Sequence, residues 1–474
     1  MLTKNSKKVL KYVGLCCIVI LLFGQFVYGA EKPQFKGTTI TVMAIAEAYA
    51  RGFKMFEDEI AQKYGIKMKF DMTPPQDAYS KAMLQFATGR SSWDIVLFMP
   101  ANLADYSKHL EPLEPLIKKL GLNFYLDDIM PVYRDIYCSW EGTLYAIPWD
   151  GDQHNLYYNK EAFAEYGLTP PTTWDEYDKI AELLNGKDWD HDGKREYGVV
   201  EAWQRGGYAF WWWMDRFASY GGIYFDEEMN PLLNSAGGIK ALEHMVNITP
   251  FVPPGTLTFG YPECENAFIK SDAPMVVQWA STGKSAMDPT ASLIVGKVGV
   301  ALIPGVIIRG KLFRRTTLPT GWSAGIPKYA QHKEAAALVL EYLSQPDRAL
   351  KICVDPKTFV DPWRVSSFNL TKWLSLWPGY ESYTEDYLKV MKKTIELGLP
   401  DLQIPGSDAY VKAADAEISA ALIGKKSPKK ALDDAVKAWN KITDRYGREQ
   451  QKEYWKAQYT AMQEKEIVYI PYEK

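Results

Sequence analysis

Carboxylates and indoles are the side chains that could do chemistry here. Asp150 and Asp152 stand two apart in the turn-prone stretch from Trp149 to Asp152. A pair of acids beside tryptophans is compatible with glycosidic bond cleavage, which needs two carboxylates about 5 to 9.5 Å apart on opposite sides of the bond. Asp150 and Asp152 are tied too closely in sequence to straddle a bond, and no other acidic pair sits in a recognisable catalytic motif. The five histidines are scattered without a nucleophile motif, which removes support for Ser-His-Asp chemistry. Tyr157 and Tyr158 cannot share one ferric ion, because adjacent strand residues face opposite ways.

A second acidic group, Asp188, Asp190 and Asp192 before Gly193, reproduces the first half of a calcium loop. Glu196 occupies the ninth place, but the twelfth, where a bidentate Glu belongs, is Val199. A structural calcium and a polar Asx-rich turn both remain open for this segment. No other cofactor is required by any motif.

The aromatic content is high, with 16 Trp and 30 Tyr, and it is densest in WQRGGYAFWWWMDRF from Trp203 to Phe217. Successive helical residues turn by about 100°, so three consecutive tryptophans cannot share a face. Gly206 and Gly207 open that helix, which favours Tyr208, Trp211 and Trp212 as cavity-facing residues and leaves the others to the core.

The elements that must hold these groups follow from periodicity. Thr39 to Ala44, Ile66 to Met72 and Asp94 to Met99 read as strands, separated by helical faces at Phe53, Phe56, Ile60 and Tyr64 and at Tyr79, Met83 and Phe86. This alternation is the signature of a parallel sheet covered by helices. Ligands of such sheets lie beyond the carboxyl ends of the strands, a rule that selects Ala46, Glu47, Pro100, Ala101 and Asn102 as a rim. Met275 to Gln278 is a further apolar strand with Trp279 at its carboxyl end, in position to wall the same cleft. Thr173 and Glu176 form a capping box after Pro170 and Pro171. Ser427 caps a helix with Pro428 at its first position and Leu432, Val436 and Trp439 as its buried stripe.

Length and composition narrow the possibilities. A chain of 474 residues exceeds one ordinary core, and 47% hydrophobic with 24% charged residues describes a globular protein. Residues 1 to 29 have the pattern of an export signal: Lys4, Lys7, Lys8 and Lys11, then the apolar run Tyr12 to Phe23, then small residues Gly29 and Ala30. The run is shorter than the roughly 20 residues of a spanning helix. Cys16 and Cys17 lie inside it and not at a lipidation position. Loss of those four lysines and no acids takes the formal charge from −3 to −7, which argues against a nucleic-acid partner. Cys138, Cys264 and Cys353 remain, permitting at most one disulfide of unspecified pairing and reading most simply as buried thiols.

GTLYAIPWDGDQHNLYYNKEAFAEYGLTPPTTW, from Gly142 to Trp174, resembles the central segment of the carbohydrate-binding subunits of ABC importers, the family-1 extracellular solute-binding proteins. So do LEPLEPL at Leu110, the Gly-Gly segment from Tyr220 to Leu233, APMVVQW ending at Trp279, VGVALIPG from Val298, Gly321 and Trp322 with the strand after them, VDPWRVS from Val360, and the helix after Ser427. The resemblance implies an α/β, periplasmic-binding-protein-like fold of two lobes, joined by hinge crossings and closing on a ligand. It places 31–148 and 304–350 in the N-terminal lobe and 149–303 and 351–474 in the other. It further implies a periplasmic or otherwise extracytoplasmic monomer that binds a mono- to oligosaccharide or polyol and delivers it to a membrane permease, without catalysis. Trp322 would stack on a sugar face. Trp149, Trp211 and Trp279 would add aromatic surface, and Glu47, Asn102, Asp150, Asp152 and Arg364 would meet hydroxyls.

Overall fold

The computed structural model describes residues 35–318 and 321–473, so the expected export signal with Cys16 and Cys17 lies outside the described residues. Ten strands matter for the site: β1 Thr38–Ala44, β2 Ile66–Met72, β3 Ile95–Phe98, β4 Ala146–Pro148, β5 His154–Asn159, β6 Met275–Trp279, β7 Val298–Ala301, β8 Thr316–Leu318, β9 Ser323–Gly325 and β10 Gly398–Pro400.

The first lobe is built on a sheet in the order β2-β1-β3-β9-β4. β1 is parallel to β2 and β3, as the alternation of strand and helix requires, and β9 runs antiparallel between β3 and β4. Its central strand β3 is a continuous apolar run because both faces are covered, with Ile95, Val96, Leu97 and Phe98 all buried, whereas the edge strand β2 alternates buried Ile66 and Met68 with exposed Lys67 and Lys69. Phe53, Phe56, Ile60 and Tyr64 are buried as expected but are split between two helices, Glu47–Lys54 and Glu57–Tyr64, with Phe56 capping the second. The helix Lys333–Ser344 packs on β1 and on Leu113–Leu120, whose Leu113 and Leu116 are buried.

The second lobe carries the antiparallel sheet β6-β5-β7, with helix Glu381–Glu396 packed on β5 and β7. Beside it, helices Tyr208–Ser219, Ala236–Asn247, Ser407–Leu422 and Pro428–Tyr446 pack together. The Thr173 box forms with both of its hydrogen bonds, and Ser427 accepts from Lys430 N. The segment from Tyr197 to Glu201 joins this lobe's sheet through one bridge, Val200 to Val276. Cys138, Cys264 and Cys353 are buried free thiols.

The chain passes between the sheets three times. The first passage is the 149–153 turn between β4 and β5. The second comes later than residue 304: β8 still pairs with β10 and packs on helix Tyr208–Ser219, and the chain rejoins the first sheet only at β9. Hydrogen bonding decided this, because the short runs after Gly305 find partners in the second lobe. The third passage, 355–366, contains no strand and runs from a turn at 356–357 into the short 3-10 helix Val365–Phe368. It lies against the first passage through Gly151 N to Asp361 O, and against the first lobe through Met130 N to Trp363 O. Gly151 is obligatory there, since a Cβ would stand 2.4 Å from Pro362 O.

Candidate functional site

Between the lobes lies a cleft of ≈ 220 Å³ whose walls come from both sheets and all three passages. Its aromatic rings form one continuous arc. Trp322, at the start of β9, has its ring 5.8 Å from that of Tyr49, which is 5.8 Å from Phe359 on the third passage. Phe359 meets Tyr261 at 4.6 Å, and Tyr261 meets Trp279 at 5.8 Å. Trp279 meets Tyr208 at 5.8 Å and Trp211 at 6.0 Å, both edge to face. The polar members of the wall are few: Gln76, Asp152, Gln204, Arg205, Ser281 and the tyrosine hydroxyls. Flat apolar ring faces with sparse, placed donors and acceptors are what a cyclic or linear polyhydroxylated molecule requires.

Asp152, Tyr208, Trp211, Trp279 and Trp322 from the sequence reading therefore share one wall. Ala46 joins them at the carboxyl end of β1, in agreement with the strand-end rule. Asn102 lies in a side recess that continues from the cleft past Met99 and Trp211, where its Oδ1 accepts from Ser407 Oγ at 2.9 Å.

Five expectations are corrected by the packing. Glu47 points outward on its helix, paired with Lys54 at 2.6 Å, because the preceding Ala46 takes the inward position. Trp149 stacks on Phe53 at 4.0 Å inside the first lobe. Trp212 shares a helix face with Tyr208 but is fully buried, because the rings of His154 at 4.6 Å and Trp279 at 5.2 Å pack against it. Arg364 is equally buried. It donates to Phe124 O, Tyr125 O and Asp128 Oδ2, so it clamps the third passage to the first lobe instead of meeting a ligand. Asp150 is held behind the wall, its oxygens accepting from Tyr49 Oη at 3.1 Å and from Asp361 N at 2.7 Å.

Asp150, Asp152 and Asp361 bring carboxyl oxygens within 4.8 Å of one another, all buried. Lys284 Nζ stands 3.4 Å from Asp361 and donates to Val360 O at 2.7 Å. Burial, reinforced by the neighbouring Asp361, pushes Asp150 up to about 8; burial with repulsion from Asp150 and Asp361 holds Asp152 well above the usual carboxylate range, and burial alone raises Asp361 against the pull of Lys284.

Tyr49, Tyr261, Phe359, Gln204 and Arg205 were missed from sequence. A signal existed for the last two: a polar pair directly before Gly206 and Gly207, whose φ values of +119° and +141° mark a turn only glycine adopts easily. Tyr49, Tyr261 and Phe359 sit in ordinary helix-start or loop contexts that carry no such mark.

The acidic loop gathers as the spacing suggested. Oxygens of Asp188, Asp190, Asp192 and Glu196 lie within 4.8 Å of one another, and Gly193 takes φ +88°. Asx-type bonds also shape it, since Gly193 N donates to Asp188 and Asp192 N to Asp190. Burial pushes Glu196 up to about 7, with Asp190 and Asp188 adding repulsion.

Two lobes, three connecting passages and a cleft walled from both sides define a ligand-capturing protein of the periplasmic-binding fold. Residues 37–349 match the model of the bacterial extracellular solute-binding proteins, and the chain belongs to that family. Among its relatives, the mannitol-binding protein of Pseudomonas aeruginosa is 26% identical over 71% of this chain and 77% of its own. A "Probable amino-acid ABC transporter periplasmic-binding protein" of Sinorhizobium fredii is 24% identical over 69% and 73% of the two chains. Among solved structures, an ABC transporter solute-binding protein from Agrobacterium radiobacter in complex with ribitol superposes with a TM-score of 0.75. That match covers 86% of this chain and all of the other at 24% identity. A maltose-bound T. maritima protein gives the same TM-score and coverages at 22% identity. The family consists of binding proteins and not enzymes, and the relatives include periplasmic ones. No helix among the described residues is long and apolar enough to cross a membrane.

Proposed function

We propose that the protein captures one small carbohydrate or polyol in the cleft and presents it, as an extracytoplasmic monomer without turnover, to the permease of an ABC importer. The observation that carries this is the seven-ring arc joining both lobes, with Asp152, Gln204 and the tyrosine hydroxyls set among the rings. Rings from two lobes can grip the faces of one guest only when the lobes are together, so ligand binding and closure become a single event. Relatives named for mannitol and for amino acids show how widely the ligand varies within the family. Phosphate esters fit poorly, because Arg205 is the one cationic side chain on the described wall.

Hydrolysis is disfavoured by the same geometry. Only Asp152 of the three clustered carboxyls reaches the cleft, so no pair flanks a bond held there. Thermal melting against a panel of sugars and polyols, followed by product analysis, tests the reading. The expected result is stabilisation by one ligand class with the ligand recovered intact. Released monosaccharide from an oligosaccharide, or no stabilisation by any member, would overturn it.

The four-carboxylate loop is further proposed to hold a structural calcium, with Asp188, Asp190, Asp192 and Glu196 as oxygen donors. It lies on the loop before Val200 rather than in the cleft, so any such ion would stiffen the loop and leave ligand contacts alone.

A further inference from the structure

The carboxyls of Asp150, Asp152 and Asp361 lie within 4.8 Å of one another at 2%, 4% and 0% exposure. One ammonium, that of Lys284, is paired with them, and it stands on the Asp361 side. Buried charge of one sign in excess is costly, and such a cluster takes up protons or another cation. Asp152 is the member that lines the cleft, and its Oδ1 has no hydrogen-bond partner among the described residues. The cleft it faces is walled by the aromatic arc, and the π faces of Trp and Tyr attract cations. Arg205, the cation on that wall, is exposed.

We propose that the ligand of this cleft is a hydroxylated small molecule bearing a protonated amine, an amino sugar or amino polyol, whose ammonium pairs with Asp152 while its carbon skeleton lies against the aromatic arc. This rests on the carbohydrate reading above and narrows it. A neutral hydroxyl can also donate to Asp152, but it leaves the excess negative charge in place. An ammonium cancels one unit of it and adds an attraction to the rings.

The exchange balances without any other reactant. In the free protein the cluster retains a proton; on binding, the carboxyl ionises, its proton passes to the buffer, and the ligand's ammonium takes up the pairing. The groups facing Asp152 are Asp150 and Asp361 on the two adjacent passages and the hydroxyls of Tyr49, Tyr133, Tyr157 and Tyr208, with Lys284 beyond Asp361. The tyrosines keep their protons at neutral pH, since burial raises each of them.

The test is titration calorimetry on the full mature chain with matched pairs: glucosamine and glucose, galactosamine and galactose, mannosamine and mannose, with the N-acetyl forms as neutral controls. In each pair that binds, the amine should bind at least about tenfold tighter. It should release a proton, read from two buffers of different ionisation heat, and tighten as pH rises until the ligand's own ammonium titrates. Neutral forms should show neither behaviour. Asp152→Asn, an isostere of the protonated acid, should bring each amine-to-neutral ratio to within about threefold. If that variant fails to fold, the wild-type ratios and proton counts decide alone. Equal or tighter binding of the neutral partner, or binding only of neutral sugars from the wider panel, overturns this inference and leaves the carbohydrate reading standing. Silence from the whole panel defeats the carbohydrate reading first.

Discussion

Trp322 meets Tyr49 on one side and the cleft on the other, while its carbonyl accepts from Trp149 N and Asp150 N at 2.7 and 3.0 Å. Its backbone thus fixes the first passage, and its ring supplies the surface. Trp322→Ala keeps those backbone bonds and removes the ring, so ligand affinity should fall by at least about 1.5 kcal/mol while the lobes stay folded. Calorimetry beside circular dichroism checks this, and unchanged affinity would remove Trp322 from the site. The acidic loop makes a second residue-scale case. Millimolar calcium should raise the melting temperature of wild type and have no such effect on Asp190→Ala; equal responses would leave the loop as an Asx turn. Tyr49 and Trp149 show why residue identity alone misled: both are aromatic, but one faces the gap and the other stacks on Phe53.

At the scale of elements, the start of helix Ser407–Leu422 reaches across to the first lobe. Ser407 Oγ donates to Ala101 O and Asn102 Oδ1, Gly406 N to Asp105 Oδ2 and Gln403 Nε2 to Pro100 O. These bonds exist only with the lobes together. Ser407→Ala removes two of them and should weaken ligand binding by about 1 kcal/mol. Solution scattering of the free variant should report a larger radius than wild type, and identical curves with identical affinity would show that the helix start has no part in closure. Arg364 does comparable work on the third passage. Arg364→Met takes the donor from Phe124 O and Tyr125 O while Asp128 keeps its bonds from Ser366 N and Oγ, so a loss of about 2 kcal/mol in denaturant unfolding is expected. Periodicity revealed β1, β2, β3 and β6, because strands with a buried face read as apolar runs or alternations. It did not reveal where the second passage begins, since β8 and β10 are three residues each and their pairing spans distant sequence.

For the whole molecule, the carboxyl cluster couples pH to stability. Folded Asp150 lies at about 8, above its ordinary value, so its contribution is fully present below about pH 4 and is lost as pH rises towards about 8. Denaturant midpoints of the ligand-free protein should therefore decline across that window, and Asp152→Asn should make the decline shallower. A slope unchanged by the substitution would mean that the cluster ionises without cost. Glu196, pushed from about 4.5 up to about 7 in the acidic loop, adds a loss of the same sign between those values. Asp190→Ala separates the two contributions.

The chain by itself determined the class of fold, through strand and helix periodicity and a set of ordered motifs, and it determined that aromatic rings and acids would meet near the passages. Only tertiary structure decided which of them meet. Side-chain direction in a cleft depends on helix phase, on which strands pair across long separations, and on what fills the space behind each ring. Those are properties of the packed molecule. They sent Glu47, Trp149, Trp212 and Arg364 elsewhere, set Asp150 behind the wall, and brought Tyr49, Tyr261 and Phe359 into it.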